Sequence, residues 1–295
     1  MSDIEVVCVG VITMDTIALV DLYPDENERV VAHEVRRAGG GPAAVASVAL
    51  SRLGVRTAIV GTIGDDADGA QVMAIFAHEG VDTRGVSIGV SATSGSVIIA
   101  SKARNARAIS TRQPMRQERI NSAAQELMRK AQWVHADHVG MPQISGLVRG
   151  NGPLISFDAG YGVERFNCAS VDLFAPTDHQ MALRHPGLTL AAAVEKEAVS
   201  AQNMVAATQG SDGSIGYSSK TGLVNASGFE VDVVSTLGAG DVFHGALIAQ
   251  LLQGHDLQDG LRRANAAAAL SCRGLDAQSM IPTTAQLNEF LKAYK

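Results

Sequence analysis

"VVSTLGAGDVFHGAL" occupies residues 233–247 and sets Gly-Ala-Gly-Asp between a β-rich run and an apolar stretch. Glycines at such a corner could make a tight turn and nothing more. They could also expose backbone N–H groups to an anion, with Asp241 beside whatever binds. The stretch that follows predicts a helix beginning near Gly240 and ending by Gly254. Val242, Phe243, Ala246, Leu247, Ile248, Leu251 and Leu252 would cover most of its circumference, so the helix should be buried and its N-terminus fixed. A helix N-terminus carries unpaired N–H groups and a partial positive charge, and glycine lets a phosphate approach the backbone closely. In an ordinary corner Asp241 would only complement the dipole, worth ~0.3–1 kcal/mol. The tetrapeptide alone does not choose between these readings.

Its surroundings set the fold class. "IEVVCVGVI" (4–12), "VRTAIVGTIG" (55–64), "SGSVIIASK" (94–102), "WVHADHVG" (133–140), "PLISFDAG" (153–160), "DLFAPT" (172–177) and "NMVAATQG" (203–210) read as strands. Several are continuous apolar runs, the pattern of strands buried on both faces of a parallel sheet. Helical segments separate many of them. The clearest starts at Pro42 and runs to Gly54, with proline and glycine at the ends that suit them. Others cover about 66–79 and 117–131, and a fourth follows Gly240. This alternation predicts an α/β fold, a mostly parallel sheet flanked by helices, in a single domain over 1–295. Residues 13–37 and 86–113 break the pattern. Both look extended and polar, and together they predict a small β lid over the carboxyl ends of the strands, where open α/β sheets bind ligands.

The 295 residues allow a sizeable core, and 46% hydrophobic with 18% charged residues fits a globular chain. A formal net charge of −6 argues against a general nucleic-acid binder. The opening "MSDIEVVCVGVITMD" lacks the basic lead and cleavable apolar core of a signal peptide. No run is long enough to span a membrane. Cys8, Cys168 and Cys272 are odd in number and far apart, which predicts buried inert thiols and a cytoplasmic location.

"VDVVSTLGAGDVFHGAL" resembles the C-terminal signature of the ribokinase-like, or phosphofructokinase-B, carbohydrate kinases, roughly D-T-x-G-A-G-D-x-F-x-x-G. Further pieces resemble that family in the same order: "GVITMD", "GGGPAAVASVALSRLG" (39–54), "GTIGDDADG" (61–69), "ATQGSDGSIGY" (207–217) and "RANAAAALSCRG" (263–274). "GGGPAA" with "DVFHGAL" looks closest to the sulfofructose kinase subfamily. The resemblance implies a ribokinase-like three-layer fold and an ATP- and Mg2+-dependent transfer to a primary hydroxyl of a small sugar. Asp241 would take the hydroxyl proton. The N–H groups around Gly238, Ala239 and Gly240 would hold the charge of the moving phosphoryl group.

The same resemblance implies the other site residues. Asp15, Gly40 and Gly41 would meet the sugar. Thr208, Gly210, Gly213, Asn265 and Gly274 would line the nucleotide. By spacing, Val45 stands where relatives carry an asparagine that contacts sugar hydroxyls. The family's N-x-x-E element, which organises Mg2+, reads Thr177-Asp178-His179-Gln180, so its carboxylate moves to Asp178 or is lost. Ser235 replaces an aspartate near a monovalent-cation site, and little potassium activation is expected. Each of these residues also has an ordinary reading as turn, cap or surface residue. From position alone, Asp137 and His138 stand at the end of an expected central strand and could touch substrate, although a buried, satisfied histidine is the commoner outcome. "HADH" lacks the spacing of a metal motif. Arg104, Arg107, Arg112, Arg116 and Arg119 could be a solvated basic face. Alternatively one or two lid arginines, Arg112 among them, could grip an anionic group, which would favour a phosphosugar or sulfosugar.

The altered positions leave open a catalytically weak kinase-fold protein that binds sugars or nucleotides as a regulator. A nicotinamide-dependent dehydrogenase is disfavoured, because the first strand lacks G-x-G-x-x-G. A homodimer through the lid is the expected assembly, since exposed sheet edges tend to pair.

Overall fold

Strand β1 (Val6–Val9) is apolar at every position because both of its faces are buried. Val6 and Cys8 enter one core while Val7 and Val9 enter the other, as the two-residue period of a strand requires. The computed structural model describes residues 3–104, 106–112, 120–158, 160 and 166–294. Beyond β1 the chain runs β2 (Thr13–Val20), β3 (Glu34–Gly40), α1 (Pro42–Arg52), β4 (Thr57–Gly64), α2 (Ala67–His78) and β5 (Asp82–Gly89). Then come β6 (Ser96–Ser101), β7 (Ala106–Thr111), α3 (Ser122–Lys130), β8 (Trp133–Ala136), β9 (Leu154–Asp158) and β10 (Leu173–Ala175). The remainder is α4 (Asp178–Arg184), α5 (Leu190–Ala201), β11 (Met204–Thr208), β12 (Gly213–Ser218), β13 (Gly222–Ser227), α6 (Ala239–Leu252), α7 (Leu257–Ser271) and α8 (Thr284–Ala293).

Among the described residues, nine strands form the main sheet in the order β13-β12-β11-β10-β9-β8-β1-β4-β5. Neighbours from β11 across to β5 are parallel, and the β12–β13 hairpin is antiparallel. Helices α1, α2, α6, α7 and α8 cover one face, and α3, α4 and α5 the other. This is an α/β fold of three layers. The chain leaves β1 for β4 on one side and reaches β8 on the other, so the strand order reverses at β1 and β8. In open α/β sheets that reversal opens a crevice at the carboxyl ends, where ligands sit.

A second sheet of four strands, β3-β2-β6-β7, lies beside the main one. Ile17, Leu19, Ile98 and Ala100 on its inner face pack with Leu275 and, partly buried, Leu237. That contact places the sheet over the loop leading into α6. "SGSVIIASK", within the 86–113 segment expected to form the lid, is lid strand β6: alternate residues Ile98 and Ala100 are buried while Val97 is exposed. One boundary shifts here. Residues 86–89, expected in the lid, belong to β5 and pair with β4. The helix expected over 117–131 is described from Ser122, where the Asn121 side chain caps the Ala124 N–H at 2.7 Å.

Cys8, Cys168 and Cys272 are free and buried, and burial pushes all three thiols up. Among the described residues no helix is long and apolar enough to cross a membrane.

Candidate active site

Helix α6 is buried from Val242 through Gln250, so its first turn is rigidly placed. Gly238 is its N-cap in the left-handed region, φ 74°, where a side chain is disfavoured. A Cβ there would lie 2.4 Å from the Cβ of Ala277. No side chain caps the helix start, and the space in front of the Gly240 α-carbon is open for 4 Å. The Ala239 N–H donates to the Thr236 carbonyl at 3.4 Å, and with no side-chain cap the positive end of the helix faces the open space at Gly240, an arrangement that can accept an anion. Val45, the residue in place of a polar one, is buried beside this turn, within reach of a Cβ at Gly238.

Asp241 follows in the first turn and keeps partial contact with solvent. Burial raises its pKa above the usual carboxylate range. The charge of Asp158 raises it further, His244 opposes, Asp137 adds to the rise, and Arg107 lowers it. A carboxylate so placed is a better proton acceptor than a solvated one.

Asp15 lies within lid strand β2, on the face shared with Ile17 and Leu19 that looks toward the α6 loop. Its Oδ1 accepts the Ser96 N–H at 2.8 Å and its Oδ2 the Thr13 hydroxyl at 3.1 Å. Burial raises its pKa against those bonds. Gly40 passes so close that a Cβ would sit 2.1 Å from Asp15 Oδ2. Gly41 caps α1 with φ 96°, its α-carbon against the Val11 carbonyl.

Asp137 is fully buried. Its Oδ2 accepts the N–H groups of Val11 (2.7 Å) and Ala43 (3.3 Å), and its Oδ1 those of Val139 (2.9 Å) and Gly140 (2.8 Å). Those four amides tie the ends of β1 and β8 to the start of α1 at the strand-order reversal. The carboxylate is therefore occupied by backbone and shapes the crevice from beneath. His138, the next residue, is exposed and stands over Gly160.

The residues expected on the nucleotide side lie on β11 and the turn into β12, on α7 and just after it. The Thr208 N–H donates to the Pro176 carbonyl at 3.0 Å, and a bridge joins Thr177 and Thr208. Gly210 and Gly213 turn the chain from β11 into β12. Asn265 is buried, and its amide donates to the carbonyls of Ala226 (2.9 Å) and Ser227 (3.2 Å), binding α7 to β13. Gly274 packs tightly on Ser279 and Met280. Thr177 and Gln180 form a capping box at the start of α4, and the Gln180 amide reaches the Gly160 carbonyl. Asp178 is exposed, and its Oδ1 accepts the neighbouring His179 N–H at 2.7 Å. Among the described residues no group of three His, Cys, Asp or Glu side chains forms a metal nest.

The lid arginines separate. Arg112 donates to the Thr93 carbonyl at 3.2 Å, beside Asp66. Arg107 faces inward opposite Ala100, and its Nη1 donates to Thr236 Oγ1 at 2.8 Å. Arg36 crosses to Asp276 at 2.7 Å. Arg104 lies over the Tyr23 ring, and Arg116 and Arg119 lie outside the described residues. Sequence reasoning grouped Arg107 with four others and did not single it out; only strand register distinguishes it. It also passed over Asp158 and His244. Their signal was present in part, because His244 stands three residues after Asp241 and so shares its helix face.

Comparison with known proteins bears on the same cleft. Residues 3–148 and 166–284 match the family model described as pfkB family carbohydrate kinase. An ATP-dependent ribose-1-phosphate kinase of Halopiger xanaduensis is 28% identical, covering 98% of each chain. A ribokinase of Bacillus subtilis is 26% identical over 97% of this chain and 99% of its own. In fold, the chain superposes on the Arabidopsis thaliana ribokinase solved with ribose and ATP, with a TM-score of 0.82, 22% identity and 99% of both chains covered.

Proposed function

This chain belongs to the pfkB family of carbohydrate kinases, and from that premise we propose that it transfers the γ-phosphoryl group of ATP to a primary hydroxyl of a small sugar, with Asp241 as the general base. The observation that carries this reading is the α6 N-terminus: a helix start with no side-chain cap at Gly238, open space before Gly240, and a partly exposed carboxylate one residue on. An acceptor hydroxyl is a poor nucleophile while protonated. Asp241 accepts its proton as the oxygen attacks phosphorus, and the glycine amides hold the charge on the moving group. The acceptor lies under the lid between Asp15 and the Gly40–Gly41 corner. The triphosphate extends toward Thr208, Gly210 and Asp178, with the adenine near Gly274. Mg2+ bound with the nucleotide neutralises phosphate charge; with no protein metal nest among the described residues, phosphate oxygens would hold it, and Asp178 is the candidate side chain.

Arg107 supports an anionic acceptor such as a phosphosugar or sulfosugar, because it brings a guanidinium to the α6 loop from the lid. The exposed Val35 (65%) and Val97 (58%) on the outer lid face support a homodimer through that face. A coupled ADP-release screen tests the reading. Its panel is ribose, fructose, nucleosides, ribose 1-phosphate, fructose phosphates and sulfofructose. Sugar-dependent ADP release is expected, strongest with an anionic acceptor. Tight sugar or nucleotide binding with no ADP release would instead favour the regulator.

A further inference from the structure

Behind Asp241 lies a buried charge cluster that the reaction scheme above does not use. His244 is one helical turn further along α6, on the same side as Asp241. Its Nδ1 lies 3.1 Å from Oδ2 of Asp158, at the end of β9, at ion-pair distance though off hydrogen-bond alignment. The other Asp158 oxygen accepts the Gly160 N–H at 3.0 Å. A second imidazole, His135 of β8, stands 5.9 Å from His244, ring centre to ring centre. Its Nδ1 is 2.8 Å from the Ser156 hydroxyl, and its Nε2 has no hydrogen-bond partner. All three ionisable side chains are less than a tenth exposed.

Resting on the kinase reading above, we propose that His244 is a positioning residue: as a buried imidazolium paired with Asp158, it shields Asp241 from the Asp158 charge and so leaves Asp241 free to take the acceptor proton. Two imidazolium ions cannot stand this close in a buried site, so one ring must be neutral. Burial, with the neighbouring His244 charge, drives His135 down to about 3, which makes it the neutral ring. Burial alone would also neutralise His244; the charge of Asp158, and then that of Asp241, outweighs it and raises the imidazole. Burial opposes ionisation of Asp158 too, but the charge of His244 holds it below the usual carboxylate range. The groups facing Asp241 are thus Asp158 and Asp137 from the sheet, His244 from α6 and Arg107 from the lid. Helices α1 and α7, packed on α6, bring charge only near its far end: Arg52 bonds to Glu79, and Arg263 to Gln250.

The test titrates the ligand-free protein, so it does not depend on knowing the acceptor. Carbon-13 NMR of labelled aspartate follows the Asp241 carboxyl, assigned by its loss in Asp241→Asn. Nitrogen-15 NMR of labelled histidine reports ring charge. In the wild type, His244 should be an imidazolium at pH 7 and His135 neutral. His244→Gln should move the Asp241 midpoint up by about one pH unit, Asp158→Asn should move it down, and the double variant should return toward the wild type. A neutral His244 in the wild type, or an Asp241 midpoint unmoved in both single variants, overturns the proposal. If a variant fails to fold, the wild-type ring charge still decides. In the ADP-release assay the acid limb of the kcat/KM profile should move with the NMR midpoint, whereas a packing role would lower the plateau and leave the limb in place. Failure of the kinase reading looks different: a normal titration with no ADP release from any sugar.

Discussion

Asp241→Asn should pull activity and stability in opposite directions. The substitution keeps shape but removes the proton acceptor, so kcat should fall by ~10²–10⁴-fold in coupled ADP release. The stability effect follows from the raised pKa. Burial and the charges of Asp158 and Asp137 make an ionised Asp241 costly in the folded chain. Each unit of displacement corresponds to about 1.4 kcal/mol. Discounted for the carboxylate's remaining solvent contact, the native-state penalty at neutral pH is on the order of 1–3 kcal/mol. The folded pKa lies above the unfolded one, so the penalty is absent below about pH 4, where both states are protonated, and grows as pH rises toward the folded value. The Asn variant should therefore melt higher than the wild type by roughly 2–6 °C near neutrality, with a smaller gap at pH 5 than at pH 8. Calorimetry at those two values and at pH 6.5 measures it. Near-normal turnover would remove Asp241 as the base. A variant that melts lower, or a gap that shrinks as pH rises, would refute the electrostatic account of the site.

Gly238→Ala should lower Tm and turnover together: the left-handed backbone at φ 74° costs a side chain about 1–2 kcal/mol before the 2.4 Å approach to Ala277 is counted. Normal melting with full activity would show that this turn is not rigid. Arg107→Ala should raise KM for an anionic acceptor by roughly 10–100-fold, the loss of one charge-assisted hydrogen bond, with Tm unchanged because the side chain is exposed; an equal effect on a neutral sugar would assign Arg107 to the lid contact with Thr236 alone. Replacing sodium by potassium in the assay should change the rate by less than about twofold, since the Ser235 hydroxyl is uncharged and already accepts the Leu237 N–H at 3.2 Å. A large potassium response would require another cation site.

The glycine-rich corner was legible because its chemistry is local. Glycine, proline and apolar spacing fix where α1 and α6 begin, and a helix apolar all round must be buried. The lid strands were legible as breaks in the strand–helix alternation, but not as to which neighbour each pairs with. "SGSVIIASK" is as apolar as a central strand, and pairing with β2 and β7 fixes its place in the lid.

What the sequence alone determined is thus the α/β class, the buried helix with its uncapped glycine start, and the carboxylate at its tip, all set by residues within one turn or strand of each other. What the tertiary structure decided is which distant side chains share that cleft. Asp137 looked available on the chain but is occupied by four amides from three segments. Arg107 was one of five arginines until a two-residue strand period turned it inward. His244 and Asp158, 86 positions apart by number, come within 3.1 Å of each other. Burial and proximity across long loops bring such groups together, and neither is written in any local pattern.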